Sequence, residues 1–236
     1  MAIFWNLSLA IIQSNPLNKY IRHEFTVMQR LVRHGFKPCI DEGLANLILL
    51  LTDSPGKVLD FMFSFLCSLS ERETVFNWLF DNGFFYRLLN RTANEPEIGC
   101  YVFKLLNALP FVPDQINPIL ELIMMTLQNG NFQTKISCMK YIHTVIVEKP
   151  ECISELLGAG ILVKIAEILE VKDPSYVTEC LDILLKMFPL IEAANIDVAS
   201  IPGSIELYDV LLELMDESTD FLQNKLENLI SYFPEN

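Results

Sequence analysis

The chain has 236 residues, of which 51% are hydrophobic and 20% charged, and its formal net charge is −13. Such an apolar chain is not intrinsically disordered, and its few glycines and prolines, nine and twelve, favour helices over a loop-rich scaffold. No apolar run reaches the roughly 20 uninterrupted residues that a membrane-spanning helix needs, so we expect the apolar side chains to form a core.

Residues 1–16, MAIFWNLSLAIIQSNP, are apolar but differ from a secretion signal. No basic residue precedes the apolar run, and Asn6 and Ser8 interrupt it. We expect a first helix that packs on the domain, followed by an amphipathic helix within 17–35, and we interpret residues 1–39 as capping helices. The apolar first helix either caps the helices that follow or forms a dimer surface, and the sequence pattern leaves both open.

An apolar run opens at a glycine or proline five times along the chain, at intervals of 35 to 43 residues: Gly43, Gly83, Pro118, Gly160 and Gly203. Each run continues through a polar break into a second helical pattern, as in GILVKIAEILEVKDPSYVTECLDILLKMF at 160–188. A period of about 40 residues is typical of helical solenoids, in which each copy is covered by the next. We therefore predict that Leu181 and Leu184, mid-helix in the fourth copy, are buried.

Proline recurs in the polar breaks, at Pro55, Pro96 and Pro174. Because proline suits the first turn of a helix, and a neighbouring Asp, Asn or Ser can cap that helix, we predict a helix start at each break. A further short helix is predicted before the glycine in 73–83 and in 151–160. Each repeat would then contain three helices.

This arrangement resembles the armadillo repeat, and the motifs that carry the resemblance are LFDNGFF at 79–85 and LLGAGIL at 156–162. It covers residues 40–236, and the two-helix HEAT repeat is the near alternative. The resemblance implies an all-α fold, a right-handed superhelical solenoid of about five armadillo-like repeats in a single domain, 1–236, with 1–39 as its cap. Armadillo proteins bind partners along a concave groove that the third helix of each repeat lines.

Catalytic and metal sites have no visible signature in the sequence. Phosphate-loop, dinucleotide-binding, zinc-protease and hydrolase motifs are all missing. The six cysteines lie 14 to 38 residues apart and the three histidines fall outside any Cys/His cluster, so we expect no metal, no cofactor and no enzyme activity. Scattered cysteines of this kind indicate a reducing compartment. We predict a cytoplasmic location, with the nucleus as a second one.

The predicted binding surface is a polar stripe on each third helix, where polar residues recur at i, i+3 or i+4. The candidate groove residues are Lys104, Asn107, Lys140, His143, Thr178, Asp182, Lys186, Asn224 and Glu227. Ser137 belongs to the same stripe in the third copy. The competing interpretation is that these residues form ordinary solvated helix faces, and for any single residue that interpretation is favoured.

Charge is distributed unevenly along the chain. Residues 1–40 carry five basic residues and one acidic residue, whereas residues 151–236 carry four basic and seventeen acidic residues. This asymmetry favours a basic protein or peptide as the partner of the C-terminal half, and it argues against nucleic acid. The basic segment 17–37 is a candidate intramolecular competitor for the same surface.

The sequence therefore predicts a non-catalytic scaffold that binds a partner protein or peptide. Two alternatives stay open: a divergent importin-alpha-like adaptor for basic nuclear localisation peptides, and an Hsp70-type chaperone cofactor. Importin-alpha-like receptors use a ladder of Trp and Asn, and in this chain Phe103 and Asn107 have the ladder spacing with Phe in place of Trp. Both tryptophans, Trp5 and Trp78, lie outside the predicted third helices. The oligomeric state is left open.

Overall fold

The computed structural model describes residues 1–16, 19–38, 42–69, 72–108, 117–217 and 220–233. Within these residues all regular structure is helical, which confirms the predicted all-α class. The chain divides into two compact units, Met1–Pro113 and Asp114–Asn236. Each unit is described by itself, and the single domain 1–236 stays a prediction.

The described part of the N-terminal unit contains seven helices: α1 (Ala2–Ser14), α2 (Ile21–Arg33), α3 (Glu42–Leu51), α4 (Gly56–Leu66), α5 (Arg72–Asp81), α6 (Phe84–Asn94) and α7 (Ile98–Asn107). They fall in the segments that the sequence pattern predicts. The first helix packs on α2 and α3 and buries Trp5, Leu9 and Ile12. The apolar N-terminal segment is therefore part of the core, as expected.

Helices of the N-terminal unit pair as α1/α2, α3/α4 and α6/α7, and α2, α4 and α7 contact one another in turn. Contacts between successive pairs join residues about one sequence period apart. The Arg91 guanidinium, on α6, donates hydrogen bonds to the carbonyl oxygens of Thr52 and Ser54, which lie 39 and 37 residues earlier. The rings of Phe25 and Phe65 are 5.7 Å apart between α2 and α4.

The described part of the C-terminal unit contains α8 (Asn117–Asn129), α9 (Phe132–Glu148), α10 (Ile153–Gly158), α11 (Ile161–Leu169), α12 (Pro174–Ala193), α13 (Ser204–Glu217) and α14 (Asp220–Ile230), with 3₁₀ turns at Pro150–Cys152 and Val198–Ser200. Helices α8, α11 and α13 lie side by side in one layer, and α9, α12 and α14 in a second layer. Leu181 and Leu184 of α12 are fully buried, as predicted. The sequence pattern ended this helix at residue 188, but it continues through Pro189.

Left-handed glycines mark three of the predicted repeat openings. Gly83, Gly160 and Gly203 have φ of +71°, +85° and +84° and immediately precede α6, α11 and α13. Glycine adopts this conformation without the steric penalty of a Cβ, so the chain can reverse between two helices there. The other two openings differ, because Gly43 and Pro118 are each the second residue of a helix, α3 and α8.

The break before α12 has the predicted capping chemistry. Asp173 accepts a hydrogen bond on Oδ1 from the N–H of Ser175 at 2.9 Å, and Pro174 is the first residue of the helix. At the other two breaks the prediction was wrong in detail. Pro55 and Pro96 precede α4 and α7, and neither helix has a side-chain cap.

Candidate functional site

Helices α9, α12 and α14 are aligned in parallel. At the start of α9 and α12 the rings of Phe132 and Tyr176 are 4.6 Å apart, and further along the Cys180 thiol donates to Met139 Sδ at 3.4 Å. The outward-facing residues of these three helices form a polar surface that we call the groove face. It contains seven of the predicted residues: Lys140, His143, Thr178, Asp182, Lys186, Asn224 and Glu227. All seven are exposed or half-buried.

A cleft of about 540 Å³ separates the outer edges of α9 and α12. Its lining combines apolar side chains with neutral polar ones and one ion pair: Phe132, Ile136, Pro174, Gln133, Ser175, Thr178, Lys140 and Glu179. Lys140 Nζ is 3.7 Å from Glu179 Oε1, and the Lys140 side chain is 56% exposed. A surface pair at this distance contributes at most about 1 kcal/mol, so a ligand can displace it at little cost.

Local hydrogen bonds cap both helices at the end of the cleft where α9 and α12 begin. Asn131 caps α9 by accepting a hydrogen bond on Oδ1 from the N–H of Thr134 at 3.0 Å, and Asp173 caps α12. The Thr178 hydroxyl donates to the carbonyl oxygen of Pro174 at 2.8 Å, so its oxygen faces a ligand as an acceptor. The Thr178 hydroxyl is therefore held against the first turn of α12.

Asp182 is less available than the sequence implied. Its Oδ1 accepts a hydrogen bond from Lys225 Nζ at 2.7 Å, across the contact between α12 and α14. Lys225 and Glu179 are charged residues of the groove face that the stripe prediction missed. Lys225 lies 43 residues after Asp182, and Glu179 lies about 40 residues after Lys140, so each is about one sequence period from its oppositely charged partner. That spacing is the signal that could have identified them.

The remaining two predicted residues, Lys104 and Asn107, lie on α7 in the N-terminal unit and are exposed. Lys104 Nζ is 5.4 Å from the centre of the Tyr101 ring, a cation–π distance. Lys104 and Tyr101 border a cleft of about 300 Å³ between α4 and α7, with Asp60 and Ser64 on its other side. This cleft occupies the same place between neighbouring helices as the one between α9 and α12.

One predicted stripe residue, Ser137, and the aromatic residue of the ladder pair, Phe103, are buried rather than presented to a ligand. Ser137 is 8% exposed and donates a hydrogen bond to the carbonyl oxygen of Gln133, one turn earlier. Phe103, the aromatic member of the single Phe/Asn ladder position, is completely buried. A buried ring cannot sandwich the stem of a ligand lysine, so the Phe103/Asn107 pair does not form a ladder rung.

Charge on the groove face is mixed and nearly balanced. Four lysines, Lys135, Lys140, Lys186 and Lys225, stand against five carboxylates, Glu148, Glu179, Asp182, Glu192 and Glu227, among the side chains that the structure describes. The acidic surplus of the C-terminal unit lies on other helices, most densely on α13, which has five acidic residues and no basic one. The expectation that the acidic C-terminal half makes an acidic groove is therefore not supported by where these charges lie.

Thiol groups of the C-terminal unit are poorly suited to nucleophilic chemistry. Its described cysteines, Cys138, Cys152 and Cys180, carry free thiols. Burial raises the pKa of the Cys138 thiol well above its usual value and raises the pKa of Cys180 to about 12. Burial, with Glu155 and Glu151 nearby, also raises the pKa of Cys152. These thiols stay protonated at neutral pH, and a protonated thiol is a weak nucleophile.

Among the described residues, no group of three or more His, Cys, Asp or Glu side chains is arranged to hold a metal ion. The described helices also include none that is long and apolar enough to cross a membrane. Comparison with protein-family models and with curated proteins finds no match for this chain. The site must therefore be interpreted from its own chemistry.

Proposed function

We propose that the chain is a non-catalytic protein-interaction scaffold that binds an extended peptide segment of a partner protein across the cleft between α9 and α12. The observation that supports this proposal is the set of side chains that line the cleft. Its apolar lining, Phe132 and Ile136, can contact an apolar side chain, and its neutral polar lining, Gln133 and Ser175, can bond to the peptide backbone.

We further propose that the helix pairs stack as an armadillo-like solenoid. Support comes from tertiary contacts at the sequence period inside each unit: 39 residues between Arg91 and Thr52, and 41 between Cys180 and Met139. Left-handed glycines at corresponding points of the repeat add to it. The right-handed superhelix and the continuous array of five repeats are part of this proposal, as is a cytoplasmic location, with the nucleus second.

A basic nuclear localisation peptide is the less favoured ligand. Recognition of such a peptide is favoured by an excess of carboxylates along the groove, whereas lysines and carboxylates are nearly equal in number on the groove face, and Phe103 of the Phe/Asn pair is buried. A chaperone-cofactor role has no feature of the described residues in its favour. The proposed partner is therefore a protein segment with an apolar anchor residue and a mostly uncharged backbone-bonding stretch.

Peptide selection followed by cleft mutagenesis tests this function. Peptides would be selected from a random displayed library on the purified full chain, and their affinity measured by fluorescence anisotropy. We expect Thr178→Arg, which fills the cleft, to weaken binding about tenfold or more, a loss of about 1.4 kcal/mol. Val147→Arg is the matched control, because Val147 is 55% exposed on the same layer but outside the cleft.

Equal affinities for the two arginine variants would rule out the cleft as the binding site. Selection of peptides rich in Lys and Arg, with binding lost at high salt, would instead support the nuclear-transport alternative. Circular dichroism on both variants shows whether each keeps its helix content, so that weaker binding caused by a lost contact can be distinguished from weaker binding caused by unfolding.

A further inference from the structure

Helix α1 is apolar on both of its sides. Its inner side buries Trp5, Leu9 and Ile12, while on its outer side Ile3 is 81% exposed, Phe4 61% and Leu7 55%. The helix contains no charged residue. A helix that is apolar all round is normally covered on all sides, and exposed apolar patches mark interaction sites.

Basic residues flank the exposed end of α1. The ring of Trp5 is 5.3 Å from that of Phe36, which places the first half of α1 beside the end of α2. Arg30, Arg33 and Lys37 are exposed there, and among the described residues no carboxylate forms an ion pair with them. We call these three cations with Ile3, Phe4 and Leu7 the head patch.

Helix α13 also exposes apolar residues, but the charged residues around them are acidic. Ile205 is 70% exposed and Leu212 39%, and their spacing of seven residues puts them on one stripe. Glu206, Asp209 and Glu213 are exposed between and beside them. We call these five residues the tail patch. On its C-terminal side Lys172 reaches Glu217 at 2.7 Å and Glu213 at 3.6 Å.

We infer that the head patch of one copy of this chain docks on the tail patch of a second copy. Apolar side chains then cover apolar side chains, and the three cations of the head patch meet Glu206, Asp209 and Glu213, of which Glu213 is already partly neutralised by Lys172. Head-to-head contact would bring cations together and tail-to-tail contact would bring carboxylates together, so charge selects the head-to-tail arrangement. Such an interface is heterologous, because the two copies contribute different surfaces to it.

Neither patch shares a residue with the cleft between α9 and α12. Self-association and peptide binding can therefore fail independently of each other. Docking between copies can also be distinguished from an intramolecular contact made by the segment 17–37, because only docking between copies depends on protein concentration.

Sedimentation velocity on the full chain measures this association. We expect the average mass to rise above the 27.0 kDa of one chain as concentration increases. The effect should be clear between about 10 and about 200 µM, a range suited to micromolar affinity. Raising the salt from about 50 to about 300 mM should weaken association about tenfold, because the charge contacts are at the surface. Phe4→Ser should abolish it, and Tyr86→Ser, at a tyrosine 53% exposed elsewhere in the same unit, should not.

Charge reversal gives the decisive comparison. A head-reversed chain (Arg30→Glu with Arg33→Glu) and a tail-reversed chain (Glu206→Lys with Asp209→Lys) should each be monomeric, since head and tail then carry like charges. An equimolar mixture of the two should associate again. Association that survives in the tail-reversed chain alone would overturn the inference, as would a chain that stays monomeric at every concentration. A monomer that floats with phosphatidylserine vesicles would assign the head patch to an anionic lipid surface instead.

Discussion

Replacing Gly203 by alanine should destabilise the C-terminal unit more than the same replacement at Gly160. Both glycines precede a helix with φ near +85° (+84° and +85°), so alanine costs about 1–2 kcal/mol at either site. At Gly160 a Cβ would meet nothing within 4 Å. At Gly203 it would lie 2.5 Å from the backbone nitrogen of Val163 and 2.8 Å from its Cα. Because backbone atoms cannot rotate away, α11 and α13 must separate, which adds about 1–3 kcal/mol.

Urea unfolding followed by circular dichroism gives the comparison directly. The free energy of unfolding should fall by about 2–5 kcal/mol for Gly203→Ala and by about 1–2 kcal/mol for Gly160→Ala, with similar m-values. The two variants share a unit and a backbone conformation, so their difference reports the close approach of α11 and α13. Equal losses would mean that these helices do not pack as described, and the stacking of the fourth and fifth repeats would have to be abandoned.

Three further predictions concern α12 and its neighbours. Leu184→Ala should lower the free energy of unfolding by about 2–5 kcal/mol, because Leu184 is completely buried; a near-neutral calorimetric result would contradict that burial. Since burial raises the folded-state pKa of Cys180 to about 12 from 9.0, the unfolded thiol ionises first, and stability should fall between pH 9.0 and about 12 by up to about 1.4 kcal/mol per pH unit. Cys180→Ala should flatten this slope, and an unchanged slope would assign it to other groups. A double-mutant cycle on Asp182→Ala and Lys225→Ala should give a coupling of about 0.5 kcal/mol that salt weakens, and zero coupling at low salt would show that the pair is not formed in solution.

Placement of the polar stripe was only partly predictable. Thr178 and Lys140 lie in the cleft because helical spacing put them on outward faces, and that spacing depends on the sequence alone. Ser137 met the same spacing but is buried, because a serine can bond to its own helix and tolerate a covered position. Glu179 and Lys225 were missed because their role depends on the neighbouring helix.

The charge of the groove face was also only partly predictable from the sequence. The acidic excess of residues 151–236 is a property of composition, and it suggested an acidic binding surface. Composition does not say which face of which helix carries each carboxylate. In the structure the carboxylates concentrate on α13, and the groove face carries nearly equal numbers of lysines and carboxylates. For this reason the ligand that we propose has an apolar anchor and is not a basic peptide.

The sequence by itself determined the helices, their breaks and their period. Those features follow from local chemistry: apolar residues at helical spacing, an aspartate that caps α12, and glycines such as Gly160 that adopt positive φ. Tertiary structure alone decided that Phe103 is buried, that Asp182 pairs with Lys225, and that the outer side of α1 is exposed. The reason is physical: periodicity identifies which side of a helix is apolar, but helices that cover that side can come from about 40 residues away, as in the contacts of Arg91 with Thr52 and of Cys180 with Met139, and only packing brings them together.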